Sequence, residues 1–67
     1  MSKEIPFIIY CIEEYKKAKN LNGFDVVTLF NKYLVFDYIQ EFFEFLHTTG
    51  PKYIIQDIDI YIESRNQ

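Results

Sequence analysis

The sequence has no tryptophan, a single cysteine, a single histidine, two glycines and two prolines. Each scarcity removes a class of chemistry. A lone cysteine, Cys11, closes no internal disulfide, so a disulfide-stapled secreted scaffold is excluded and a reducing, cytoplasmic setting is expected. Zinc needs three or four nitrogen or sulfur ligands, which Cys11 and His47 do not supply within one chain, so no metal site is expected. Thiol catalysis needs a base within reach, and the same two residues are the only pair available. Cys11 lies between Tyr10 and Ile12, the setting of a small core hydrophobe, and His47 closes an apolar run, where an imidazole meets the carbonyls of a helix end. The chain therefore reads as non-enzymatic. Gly23 and Gly50 each sit at a turn, so no phosphate cradle, cofactor or small-molecule substrate is inferred.

Long apolar runs are missing too. Ile5 to Ile12 is eight residues, too short for a bilayer span or a signal-peptide core. Positive charge is also scarce: seven Lys and Arg face ten Asp and Glu, for a net charge of −3. That is the opposite of a nucleic-acid footprint, and no direct nucleic-acid binding is expected. Residues 1 to 36 carry five Lys against four acids, whereas residues 37 to 67 carry six acids against Lys52 and Arg65. Any electrostatic patch is acidic and C-terminal.

What the chain does have is apolar and aromatic mass: 49% hydrophobic residues, with six Tyr and seven Phe in 67 residues. A chain of that length supports one small core, so residues 1 to 67 are expected to form a single domain. Between Pro6 and Asn20, Ile5, Ile8, Ile9, Ile12 and Tyr15 recur at helical spacing, with Phe7, Cys11 and Ala18 as a second apolar edge. The pattern predicts a broad, largely buried helix starting within about three residues before Pro6, its lysines 16, 17 and 19 complementing the C-terminal dipole. Asn22, followed by Gly23 and Asp25, predicts a capped second helix through Val26, Val27, Phe30 and Tyr33. Residues 35 to 46 predict a third helix. Its apolar arc centres on Val35, Ile39, Phe42 and Leu46, with Tyr38 and Phe45 on one flank and Phe36 and Phe43 on the other, and approaches about 180°, wider than one buried face requires.

The last segment is ambiguous. Ile58, Ile60 and Ile62 alternate as in a strand, while Ile54, Ile58 and Ile62 repeat every four residues as in a helix. The Thr49-Gly50-Pro51 start signal and the Ile54-Ile55 pair favour a helix. An all-α, compact four-helix domain is the expected fold; the alternative is α+β, with Ile5 to Ile12 and Tyr53 to Glu63 as terminal strands. The acids Asp57, Asp59 and Glu63 read as a solvated helix face. The excess aromatics on the third helix mark Phe36, Tyr38, Phe43 and Phe45 as candidate protein-interface residues. A protein partner or a homodimer is expected to cover them.

Phe30-Asn31-Lys32-Tyr33, Phe36-Asp37-Tyr38-Ile39, Leu46-His47-Thr48-Thr49-Gly50 and Tyr53-Ile54-Ile55-Gln56-Asp57-Ile58 together resemble a family of short bacterial proteins of unknown function. The opening Phe7-Ile8-Ile9-Tyr10-Cys11-Ile12-Glu13 is similar to that family's start, so the likeness spans nearly the whole chain. It implies a stand-alone, all-helical protein whose relatives neighbour toxin-like, ADP-ribosyltransferase-like genes, hence an antitoxin or accessory role. It brings no catalytic residue. Leu34 departs from the family, where a glycine or asparagine is expected, which predicts a tighter or more continuous junction between the second and third helices. The expected function is a protein-interaction module; the rival is an acidic mimic occupying a nucleic-acid-binding surface on another protein.

Overall fold

Pro6 lacks an N–H and fits only a first helical turn, and the first helix, α1, accordingly runs Glu4–Lys19. The structure is a computed structural model and describes residues 3–66. α1 ends at Asn20, in the left-handed region at φ 55°, ψ 46°. There the Asn20 and Leu21 N–H groups donate back to the Lys17 and Lys16 carbonyls at 3.4 and 3.0 Å, the paired closure that asparagine supports almost as readily as glycine. Asn22 then caps α2, Gly23–Lys32, by accepting the Asp25 N–H on its Oδ1 at 2.8 Å.

The junction after α2 is tight but not continuous. Leu34 adopts φ 59°, ψ 37° and opens α3, Val35–Glu41, a left-handed backbone that costs a side chain other than glycine roughly 1–2 kcal/mol. The helix predicted over 35 to 46 is also broken. Phe42 leaves helical geometry at φ −105°, ψ 21°, and α4, Phe43–Leu46, restarts as a single turn whose Phe45 and Leu46 N–H groups both reach the Phe42 carbonyl. The break changes which ring enters the core. Phe43, expected on a flank, is 8% exposed, while Phe42, expected mid-arc, is 44% exposed.

Gly50 is extended and Pro51 occupies the first position of α5, Pro51–Arg65. Ile54 and Ile58 are buried and Ile60 lies out at 66% exposure, so the four-residue repeat governs and the alternation is incidental. Among the described residues there is no strand; the all-α expectation holds and the terminal-strand alternative falls.

One cluster of buried side chains joins the helices: Cys11 and Tyr15 of α1, Val26 and Phe30 of α2, Val35 and Ile39 of α3, Leu46 of α4, and Ile54 and Ile58 of α5. Each long helix thus buries one pair of residues four apart, a narrow stripe. This corrects the expectation of a largely buried α1. Phe7, Ile8 and Ile12 are only half-buried, and Ile5 and Ile9, read as part of its buried face, lie in solvent. The radius of gyration is 11.0 Å, which is what about 67 compact residues give. Exposed apolar side chains therefore follow from the geometry of a small core rather than from loose packing.

Candidate functional site

The four aromatics singled out in the third helix divide between interior and surface. Phe36 is half-buried with its ring 5.5 Å from that of Phe30, edge to face. Phe43 is buried, 5.4 Å from Phe7 and stacked on His47 at 4.7 Å. Tyr38 is half-buried and Phe45 is 54% exposed. The flank of Tyr38 and Phe45 is thus the one that reaches the surface.

That flank continues into a longer strip. Tyr38 lies 4.9 Å from Phe42 and stacks on Tyr61 of α5 at 4.2 Å. Phe45 meets Tyr53 of α5 edge-on at 5.9 Å, and the Arg65 guanidinium sits 5.7 Å over Tyr61. Tyr38 of α3, Phe42 at the break and Phe45 of α4 follow one another along the chain; Tyr53, Asp57 and Tyr61, each four apart, share one face of α5. The result is an aromatic strip along the α3–α5 seam, with Phe42, Phe45 and Tyr53 all more than 40% exposed. Phe42, Tyr53 and Tyr61 were not singled out from the sequence. The four-residue spacing of the two tyrosines about Asp57 was the available signal.

The acids of α5 depart from a purely solvated face. Tyr38 donates its hydroxyl to Asp57 Oδ2, and Tyr15 donates to Asp59 Oδ1 at 2.7 Å. Burial, then the hydrogen bond to the carboxylate, then its negative charge push both hydroxyls above the usual tyrosine range. Both tyrosines stay neutral donors. Asp59 also takes Lys19 Nζ at 2.5 Å, while Lys16 and Lys17 pair with Glu13 and Glu14 along α1. Asp37, Glu41 and Glu44, exposed on α3 and α4, have no cationic partner among the described residues.

The remaining candidates are structural in their placement. Cys11 is 1% exposed, and burial pushes its thiol up to about 12, far from a reactive thiolate. His47 lies at the surface, its Nδ1 2.8 Å from the Phe43 carbonyl, where Thr48 and Thr49 likewise donate to the Phe45 and Leu46 carbonyls. Those three side chains close the C-terminal end of α4. Among the described residues no three His, Cys, Asp or Glu side chains converge, and no helix is long and apolar enough to cross a membrane. An open groove of about 610 Å³ lies between α1 and α5, where Glu14, Lys17, Lys19 and Asp59 already satisfy one another and Lys52 stands at the rim.

Residues 6–65, from the first turn of α1 to the end of α5, match the family model described as Protein of unknown function (DUF3791). No curated protein and no solved structure matches the chain.

Proposed function

Because the chain belongs to the DUF3791 family, whose description leaves function open, we propose from its surface that it is a non-enzymatic, cytoplasmic protein-binding module of bacterial origin. The aromatic strip along the α3–α5 seam is its contact surface. The observation that supports this is the exposure of Phe42, Phe45 and Tyr53 together in one run of aromatic contacts along a single seam of a compact chain. Rings of this kind are favoured at interface cores, and a contiguous apolar patch on a small domain marks a docking site more often than a solvated one. Following the family likeness, its role is to neutralise or assist a toxin-like protein encoded beside it.

Phe42 and Phe45 are the anchors, and Tyr38 is held in place between Tyr61 and Asp57. Without a partner, two copies are expected to close on this strip weakly, as a homodimer whose association strengthens with salt, since a two-fold contact sets like charges together.

The test is co-expression with the neighbouring toxin-like gene. Wild type restores growth, and a Phe42→Ser, Phe45→Ser double variant with an unchanged circular dichroism spectrum loses that rescue. Cys11→Ala and His47→Gln are expected to retain it. A double variant that rescues fully removes the strip from the function.

A further inference from the structure

We propose that the strip receives a cationic segment of another protein, an amphipathic stretch bearing arginines beside apolar anchors; this rests on the strip being a binding surface. The argument is charge complementarity combined with ring geometry. Residues 37 to 67 carry six acids against two cations, and of those acids only Asp59 has a cationic partner among the described residues. Glu41 lies three residues after Tyr38, about one turn on along the same side of α3. It is exposed and has no cationic partner among the described residues. Asp57 lies between Tyr53 and Tyr61 on α5 and, among the described residues, takes the Tyr38 hydroxyl alone, which leaves its other carboxylate oxygen an acceptor for a ligand.

Carboxylates beside aromatic faces match a guanidinium, which stacks on a ring and donates two parallel hydrogen bonds to a carboxylate. The strip already shows the ring half of that pairing, since Arg65 lies over Tyr61. A second copy of this chain is a poorer occupant. Closing the strip on its own two-fold mate sets Glu41 and Asp57 near their symmetry equivalents, so the charge that favours a cationic segment opposes the homodimer. Contrast α1, where Lys16, Lys17 and Lys19 find their acids within the fold.

The experiment titrates the full-length, isotope-labelled chain with two synthetic amphipathic peptides of about 14 residues, one carrying arginines along its leucine face and one with glutamine at those positions. Amide shifts read out both place and affinity. The arginine peptide is expected to shift residues 38 to 45 and 53 to 61, to bind at least about tenfold more tightly than the glutamine peptide, and to weaken with salt. Glu41→Gln, on the surface and outside the fold's contacts, is expected to weaken it about three- to tenfold, and Asp57→Asn similarly. Equal binding of both peptides to the strip leaves the interaction surface standing and overturns the cationic specificity. Undiminished arginine-peptide binding by the Phe42→Ser, Phe45→Ser variant overturns the strip itself and leaves a bare acidic surface. Shifts confined to the α1–α5 groove, shifts that follow protein concentration alone, or none with either peptide at millimolar concentration also overturn the proposal.

Discussion

The two aromatic flanks of residues 35 to 46 are near mirror images in sequence and part ways in structure. Phe36 and Phe43 stand at almost the same angle from the centre of the arc as Tyr38 and Phe45, and Phe36 and Tyr38 are both half-buried, yet Phe43 is buried while Phe45 is 54% exposed. Their neighbours make the difference. Phe36 meets Phe30 and Phe43 meets Phe7, rings carried by the α1–α2 hairpin. Tyr38 and Phe45 meet Tyr61 and Tyr53, which are themselves at the edge of α5. The short α3 and α4 are not enclosed on every side by α1, α2 and α5, so one flank closes the core and the other is left to whatever binds it.

The contrast is most directly broken at Phe43. Phe43→Ala removes a buried ring and is expected to cost about 3 kcal/mol, much of what a domain this small has. Phe43→Leu, which keeps most of the volume, is expected to cost about 1 kcal/mol and preserves a measurable transition if the alanine variant does not fold. Phe45→Ala is expected to stay within about 0.5 kcal/mol. Urea midpoints compare the three directly. Equal losses at Phe43 and Phe45 would mean that the flanks are not energetically distinct.

A smaller effect separates the two tyrosine–aspartate pairs on α5. Tyr15–Asp59 sits at the core and Tyr38–Asp57 on the strip, and in both the folded hydroxyl titrates above its ordinary value of 10.0. The unfolded chain therefore loses these protons first. Stability is unaffected by them below pH about 10 and declines as pH rises beyond it; Cys11, raised from 9.0 to about 12, adds a decline that begins near pH 9. Urea midpoints between pH 8 and 12 should show this fall. Tyr38→Phe and Tyr15→Phe are each expected to cost about 1 kcal/mol at neutral pH and to flatten the alkaline decline, more at Tyr15, which is nearly enclosed. An unchanged slope in the double variant would place the titrating groups elsewhere.

The helix ends were legible in the sequence because single residues decide them. Pro6, Asn22, Thr49, Gly50 and Pro51 act through local backbone chemistry, and the structure puts each at or near the boundary expected. The last helix was recoverable despite its strand-like alternation, since Ile54 and Ile55 together break that alternation and Thr49-Gly50-Pro51 signals a helix start. The interior of the third helix was not. Angular arithmetic assumes an unbroken helix, and the departure at Phe42 rotates everything after it, exchanging Phe42 for Phe43. Ile5 and Ile9 misled for a related reason: periodicity shows which residues share a face but not whether another helix arrives to cover it. Two of the strip's five rings could be seen, Tyr38 and Phe45. Tyr53 and Tyr61 joined it through the tertiary approach of α5, which their shared face about Asp57 permits but does not by itself reveal.

The smallest effect tests what orients the flanks in the first place. Leu34 precedes α3 in a left-handed conformation, at the point where the chain turns from α2 into α3. A leucine there costs roughly 1–2 kcal/mol of backbone strain. Its side chain is 49% exposed, so burial returns only part of that. Leu34→Gly removes the strain but loosens the unfolded chain and forfeits some apolar contact, leaving a net gain of about 0.5 kcal/mol; Leu34→Asn keeps a side chain that tolerates the geometry and should do about as well. Urea denaturation measures the gain, and amide shifts of Phe36, Phe43 and Phe45 show whether the flanks hold. If both variants gain stability and the shifts stay in place, packing against Phe30 and Phe7 sets the orientation of α3 and Leu34 merely yields to it. If instead stability drops by more than about 1 kcal/mol and Phe43 moves out, then the leucine itself holds the junction, and the division of aromatics between core and surface begins at that one residue.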